Sequence, residues 1–288
     1  MILQQIVNGL AIGCVYGLIA LGFVLIFKAT EVINFAQGEL VMLGAFIAYS
    51  LITLLKLHVG IALLLTPIIC GGLAVVMERV LVRPLVGKPV VSIILVTIGL
   101  SITIRAVAGF IWSYDTLDFP HIFSEEPVQI GGIVLGQVDI WVILVSICLV
   151  TLLFLFFKFT TLGISLQASA QNPTASLLMG ISVKRVYSLS WALSGAIGAV
   201  AGIIIAPITF LSANMGFLGL KAFPAAIIGG FNSIPGAIVG GVIIGIAENL
   251  AGLYLPVWFK DIFAYLIMIA VLMIKPEGIF GTYQKKKV

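Results

Sequence analysis

Arg105 and Glu248 each sit inside a long apolar run, where an ionisable side chain is costly and by default marks a functional position. Arg105 lies eight residues before Ser113 and Glu248 seven before Leu255, so on helices both fall about 10–12 Å below an end. Both ends are expected on the outer side. Matching depth and opposite charge predict an intramembrane ion pair. Snorkelling of each side chain toward the outer interface is the competing expectation. A second polar group is Glu31, Asn34, Gln37 and Glu39, interrupted by Phe35 and Ala36. It is either an ordinary turn with Asn34 capping the next helix, or a break that dips into the bundle and lines a cavity or pathway. Asn232 and Ser233, just ahead of Pro235-Gly236, have the composition of a helix start, and half-helix ends of this kind can face a ligand's charged group. Covalent chemistry has no candidate set. His58 and His121 fall in outer loops, and Cys14, Cys70 and Cys148 lie in apolar runs without metal-type spacing. Gly87-Lys88 runs into Pro89 with no phosphate-cradling loop before it. No catalytic residue, metal site or nucleotide site is therefore expected in this chain.

The elements that would position these residues are helices in lipid. Of the 288 residues, 61% are hydrophobic and 9% charged, against roughly 25% charged in soluble domains. A soluble fold of this size could not cover its surface with so few charges. No strand-like alternation suggests a barrel. The chain opens Met1-Ile2-Leu3 with no basic stretch before the apolar run, so no cleavable signal peptide is expected. The fold class expected is all-α: one polytopic transmembrane bundle over 1–288, with spans at 2–27, 37–56, 59–82, 92–113, 139–158, 186–211, 235–255 and 259–275. A short segment at 221–232 covers only about 18 Å and reads as a broken helix near 221–235. The count is then eight or nine. Lys28, Arg79, Arg83, Lys88, Lys158, Lys184, Arg185, Lys275 and Lys285 to Lys287 fall on one side, with only Lys56, Lys221 and Lys260 on the other. That bias makes the first side cytoplasmic, puts the C-terminus inside and favours nine crossings. Small residues four apart (Gly9, Gly13, Gly17; Ser194, Gly198, Gly202; Gly236, Gly240; Gly241, Gly245) predict close helix contacts in lipid. Gly-rich polar breaks near 31–39 and 229–236 hint at an inverted repeat.

Two connections are long: an outer loop, 114–138, and an inner loop, 159–185. Within the inner loop Asn172 suits an N-cap, Pro173 the first helical position and Gly180 the position after the helix end. A two-turn helix over 173–179 follows, with Leu177 and Leu178 apolar on it. Alone it would be marginal in water. The residues leave open whether it packs on the bundle's own inner face or on a cytoplasmic partner.

The stretch Val32-Ile33-Asn34-Phe35-Ala36-Gln37-Gly38-Glu39 resembles the opening signature of LivH-type permeases of branched-chain amino acid ABC importers. Similar to that family are also Glu78-Arg79 with Arg83-Pro84, Ala175 to Ile181, Gly219-Leu220-Lys221-Ala222-Phe223 through Ser233-Ile234-Pro235-Gly236-Ala237 to Glu248, and the tail Lys275 to Gly281. The resemblance covers essentially the whole chain. It implies a permease in the inner (plasma) membrane that moves branched-chain or other hydrophobic amino acids by alternating access. Urea and short amides are carried by related systems, and a secondary transporter is the remaining alternative. The implied partners are a homologous LivM-type permease in a heterodimer, two cytoplasmic ATPases that carry ATP and Mg, and a periplasmic binding protein. Asn172, Pro173, Leu177, Leu178 and Gly180 would then belong to the coupling helix seated in an ATPase cleft. Gln167-Ala168 departs from the acidic residue usual at the start of such a motif.

Overall fold

The computed structural model describes residues 2–120, 128–130 and 133–281. Eleven α-helices run in order: α1 (Ile2–Thr30), α2 (Gln37–Tyr49), α3 (Val59–Met77), α4 (Val90–Trp112), α5 (Gln137–Phe159), α6 (Thr161–Gln171), α7 (Pro173–Leu178), α8 (Val183–Thr209), α9 (Phe217–Gly229), α10 (Ile234–Tyr254) and α11 (Val257–Ile274). π-helical turns extend α2 to Leu54 and α3 to Val82, where a 3₁₀ turn carries it to Leu85. Among the described residues seven helical runs are long and apolar enough to cross a membrane, Gln37–Leu54 among them, and Ala213–Gly229 and Ile262–Ile274 are shorter apolar helices. The chain is an all-α, multi-pass membrane protein. The one sheet described is a small hairpin, β1 (Val128–Ile130) against β2 (Ile133–Leu135), inside the stretch expected to be an outer loop. Residues 121–127, including His121, lie outside the described residues.

The short helices are explained by where they start. α1 and α10 pack antiparallel: a Cβ on Gly9 would meet Ile246 Cα at 2.7 Å, one on Gly13 Val242 Cα at 2.8 Å, and one on Gly17 Ile238 Cα at 3.2 Å. The Phe27 and Phe231 rings meet at a tilt with their centroids 4.8 Å apart, so the end of α1 and the start of α10 lie together. This is the basic end of the bundle, with Lys28. After Thr30 the chain leaves the helix at Glu31, whose φ is +55°, and turns back into the bundle. The Phe35 amide donates to Thr97 Oγ1, seven residues into α4, at 3.3 Å. α2 therefore starts well inside and climbs to the opposite end, where Trp112 Nε1 donates to Ser50 Oγ at 2.7 Å.

The second half repeats this with the direction reversed. α8 ends at Thr209, Phe210 has φ +59°, and Leu211 pairs with Leu117 just beyond α4. Ala213, Met215 and Gly216 are buried in a 3₁₀ turn, and α9 descends from there to Gly229 near the start of α10. The order of long helix, left-handed residue, inward lead, half-helix and two further long helices thus occurs in α1–α4 and again, inverted, in α8–α11. Inverted repeats with discontinuous helices are a recurring transporter plan. The breaks that correspond are 31–36 and 210–216. The polar stretch at 229–236, which the sequence offered as the second break, is instead the turn from α9 to α10. The expected short helix at 221–232 starts four residues earlier and ends three earlier than read. The lead into it carries no run of polar residues to announce it.

The two half-helices meet start to start. A Cβ on Gly38 would overlap the Gly216 carbonyl oxygen, and one on Gly219 would come 2.6 Å from Gly38 Cα. Gly38→Ala is expected to lower thermal stability by about 1–3 kcal/mol through overpacking. Gly99→Ala, on α4 with nothing within 4 Å of the added carbon, should leave it unchanged or raised. A melting series on the two variants in one detergent checks both, and an equal response would contradict the close approach.

Candidate functional site

The first candidate region is the meeting point of α2 and α9. Gln37 and Glu39 lie in the first turn of α2 and are 0% and 1% exposed, and Asn34, in the lead, is 1% exposed. Asn34 Oδ1 accepts from the Ala36 amide at 3.1 Å. It closes the turn, while Ala36 occupies the cap position without a side-chain bond. Ser194 Oγ of α8 donates to Gln37 Oε1 at 2.6 Å and lies 3.0 Å from the Gly22 carbonyl oxygen. The Ser194 hydroxyl thus brings α1, α2 and α8 together where glycine and serine let them close up.

Glu39 accepts an ion pair from Arg105 of α4, and the Arg105 guanidinium also lies 4.2 Å over the Phe217 ring at the start of α9. This corrects the pairing expected from depth. Arg105 and Glu248 are not partners. The inward lead at 31–36 raises Glu39 to the level of Arg105, a displacement that a span drawn from the inner face at 37 does not anticipate. Glu248 is 4% exposed on α10 and has Lys221 Nζ of α9 at 3.9 Å. Lys221, counted on the outer side as the first residue of the expected short segment, lies inside α9.

Asn232 and Ser233 are not part of this cluster. They lie at the basic end, where Ser233 Oγ accepts from the Gly236 amide at 3.1 Å and caps α10. Both line a cavity of about 540 Å³ with Lys28, Phe154, Phe157 and Lys158.

The second candidate region is the connection between α5 and α8. It is more ordered than a polar loop. Thr160 Oγ1 accepts from the Gly163 amide at 3.0 Å and starts α6. Asn172 Oδ1 accepts from the Ala175 amide at 2.9 Å and starts α7, with Pro173 first. Gly180, at φ +83°, closes the turn, its amide donating to the Leu177 carbonyl at 3.0 Å. Ser176 faces inward at 5% exposure, whereas Leu177, Leu178 and Met179 are 62%, 83% and 83% exposed. Pro173, Thr174 and Leu177 border a cleft of about 530 Å³ with Arg83, Lys184 and Tyr187.

Beside it is a network the single-residue reading did not assemble. Arg83 Nε donates to Glu78 Oε1 at 2.9 Å and Nη2 to Oε2 at 2.6 Å, and Ser188 of α8 donates to Oε2 at 2.9 Å. The five-residue spacing of Glu78 and Arg83 hid the pair, because a π-helical turn lies between them. Among the described residues no group of three or more potential metal ligands occurs.

A multi-pass bundle of two inverted halves, centred on discontinuous helices and exposing an apolar stub at one end, belongs to the class of membrane transport permeases. Residues 5–272 match the family described as branched-chain amino acid transport system / permease component. The high-affinity branched-chain amino acid transport system permease protein LivH of Escherichia coli (strain K12) is 32% identical over 303 residues, covering 99% of this chain and 97% of that one. The permease protein BraD of Pseudomonas aeruginosa is 32% identical over 302 residues, covering 99% and 98%. A solved structure, PsaBC from Streptococcus pneumoniae in complex with Fab, has the same fold at TM-score 0.52 and 14% identity, over 94% of this chain and 91% of that one. The chain belongs to the branched-chain amino acid transport permease family.

Proposed function

We propose that this chain is the permease subunit of an ATP-binding cassette importer that carries branched-chain or other hydrophobic amino acids across the inner membrane by alternating access. The observation that carries the reading is α7. A capped, folded helix at the basic end of a permease-family bundle displays Leu177, Leu178 and Met179 to its surroundings, and a short apolar helix of this kind needs a partner to pack on. Two cytoplasmic ATPases, loaded with ATP and Mg, are that partner. A LivM-type permease completes the pathway as a heterodimer, and a periplasmic binding protein delivers substrate. The basic end is cytoplasmic, as the positive-inside bias requires, and the C-terminus lies on that side. The breaks at Asn34, Gln37 and Glu39 supply the bistable centre. Two half-helices that meet start to start can slide or tilt against each other without breaking a continuous helix.

Co-expression with candidate ATPase, LivM-type permease and binding-protein partners from the same organism, followed by reconstitution, tests this. Leucine uptake should require ATP inside the compartment that holds the ATPases and should fall to background with an ATPase Walker-lysine variant. Uptake that survives loss of the ATPases but collapses with an uncoupler would assign a secondary transporter. Uptake of urea or acetamide without leucine would move the substrate class.

A further inference from the structure

The geometry points to an anionic phospholipid site on the basic end, between α3, the start of α6 and the first turns of α8. A cleft of about 350 Å³ there is lined by Arg79, Lys184 and Arg185 at its mouth and by Val75, Leu189 and Ala192 further in. Arg83 also lines it, but its charge is already matched by Glu78. The other three cations have no carboxylate partner among the described residues, and all three are exposed. Three unmatched positive charges held together repel one another, and a phosphate between them removes that cost.

The depth of the cleft says what kind of phosphate fits. Ala192 lies nine residues past the start of α8, about 13 Å along the helix. A soluble protein docking from outside the membrane would meet the cations but could not fill that depth. A free phosphate would have no use for an apolar floor. The same stretch of α3 and its π-helical extension exposes Leu73, Val76 and Val80, 38%, 56% and 63%, an apolar surface next in sequence to the lining residues Val75 and Arg79 that suits acyl chains. Basic pockets between helices at this level take anionic headgroups. The cleft shares Arg83 and Lys184 with the one bordered by α7, so an occupying lipid would touch the same residues that support the stub.

The full-length permease, purified in neutral detergent, is titrated with phosphatidylglycerol or phosphatidylcholine, and bound lipid is counted by native mass spectrometry. Phosphatidylglycerol should be retained in preference to phosphatidylcholine. The Arg79→Gln/Lys184→Gln/Arg185→Gln variant should weaken that retention about tenfold or more. Leu189→Trp, which fills the floor and keeps every charge, should weaken it too, and the charge-preserving pair Arg79→Lys/Arg185→Lys should retain most of it. Because Leu189→Trp reports independently, a poorly folded triple variant does not rescue the idea. Unchanged phosphatidylglycerol binding in both the triple and the Leu189→Trp variants overturns the site. So does displacement by millimolar inorganic phosphate with no effect of Leu189→Trp, which marks a free-anion site. When the same variants are purified with the ATPase subunits co-expressed, loss of those subunits with phosphatidylglycerol binding unchanged marks a protein contact and overturns it equally.

Discussion

Replacing Leu177 and Leu178 together by aspartate is expected to abolish ATP-driven uptake while leaving the permease folded. The two side chains are 62% and 83% exposed, so the fold has little invested in them, and surface changes of this kind shift stability by about 0.5 kcal/mol or less. Seated in a partner, each would contribute about 1.5–3 kcal/mol by burial. Two carboxylates placed in the same apolar seat would add a desolvation penalty on top of that loss. The sum is enough to move ATPase docking by several orders of magnitude. Uptake should drop by at least a hundredfold, with co-purification of the ATPase subunits lost in parallel. The melting temperature of the isolated permease should stay within about 1–2 °C of wild type, as a surface change implies. Ser176→Leu makes the contrast. Ser176 is buried, so the larger side chain should displace α7 itself and lower both melting temperature and uptake. Normal ATPase retention and uptake in the double aspartate variant would show that α7 packs only on its own bundle.

The helical class, the long spans and the ends of α7 were legible because each has a local cause. Apolar runs demand internal backbone bonds in lipid, and Asn172, Pro173 and Gly180 carry cap and turn chemistry in their own side chains or φ angles. The depth of Glu39 was not legible. The composition of 31–39 allows both an ordinary turn and an inward break; the inward break is decided by Thr97 receiving the Phe35 amide and by Gly38 fitting against Gly216, contacts 60 or more residues away in sequence. The same cause displaced the second break. Glycine and polar residues mark the turn at 229–236, whereas the buried part of the lead at 210–216 is written in Leu211, Ala213, Met215 and Gly216, which carry no polar signal of a break and fall at the edge of or between the expected spans. α6 was missed for the opposite reason: its Thr160 cap is clear, but Ser165, Gln167 and Ser169 made the helix look like loop. Charge spacing along the sequence placed Arg105 and Glu248 at one depth, and both are indeed inside the bundle. Depth alone cannot choose partners when a third charge, Glu39, arrives at the same level by an irregular path.

That third charge sets the second large effect. Glu39→Ala is expected to destabilise the permease by about 3–5 kcal/mol, the usual cost of orphaning a buried charge. Arg105 sits against the start of α2, through Glu39, and against Phe217 at the start of α9. Helix N-termini carry partial positive charge, so without Glu39 the guanidinium faces two like-signed ends, and only the Phe217 ring still favours it. Arg105→Ala leaves the opposite situation. The carboxylate remains in the first turn of α2 and beside Gly216, where the same partial charges favour it. Its cost should therefore be smaller by roughly 1 kcal/mol. The double variant should cost less than the sum of the singles by about 2 kcal/mol or more, as expected for groups in direct contact. Glu248→Ala combined with Arg105→Ala should instead be additive, because Glu248 faces Lys221. Thermal melts of the wild type and the five variants (Glu39→Ala, Arg105→Ala, Glu248→Ala and the two doubles) in one detergent give both cycles, with the Glu39→Ala midpoint expected about 10 °C below wild type at the usual sensitivity of a chain this size. Coupling of Arg105 to Glu248 rather than to Glu39 would place α2 at the inner face after all, and a larger loss for Arg105→Ala than for Glu39→Ala would mean that the two half-helix starts do not set the potential at this point.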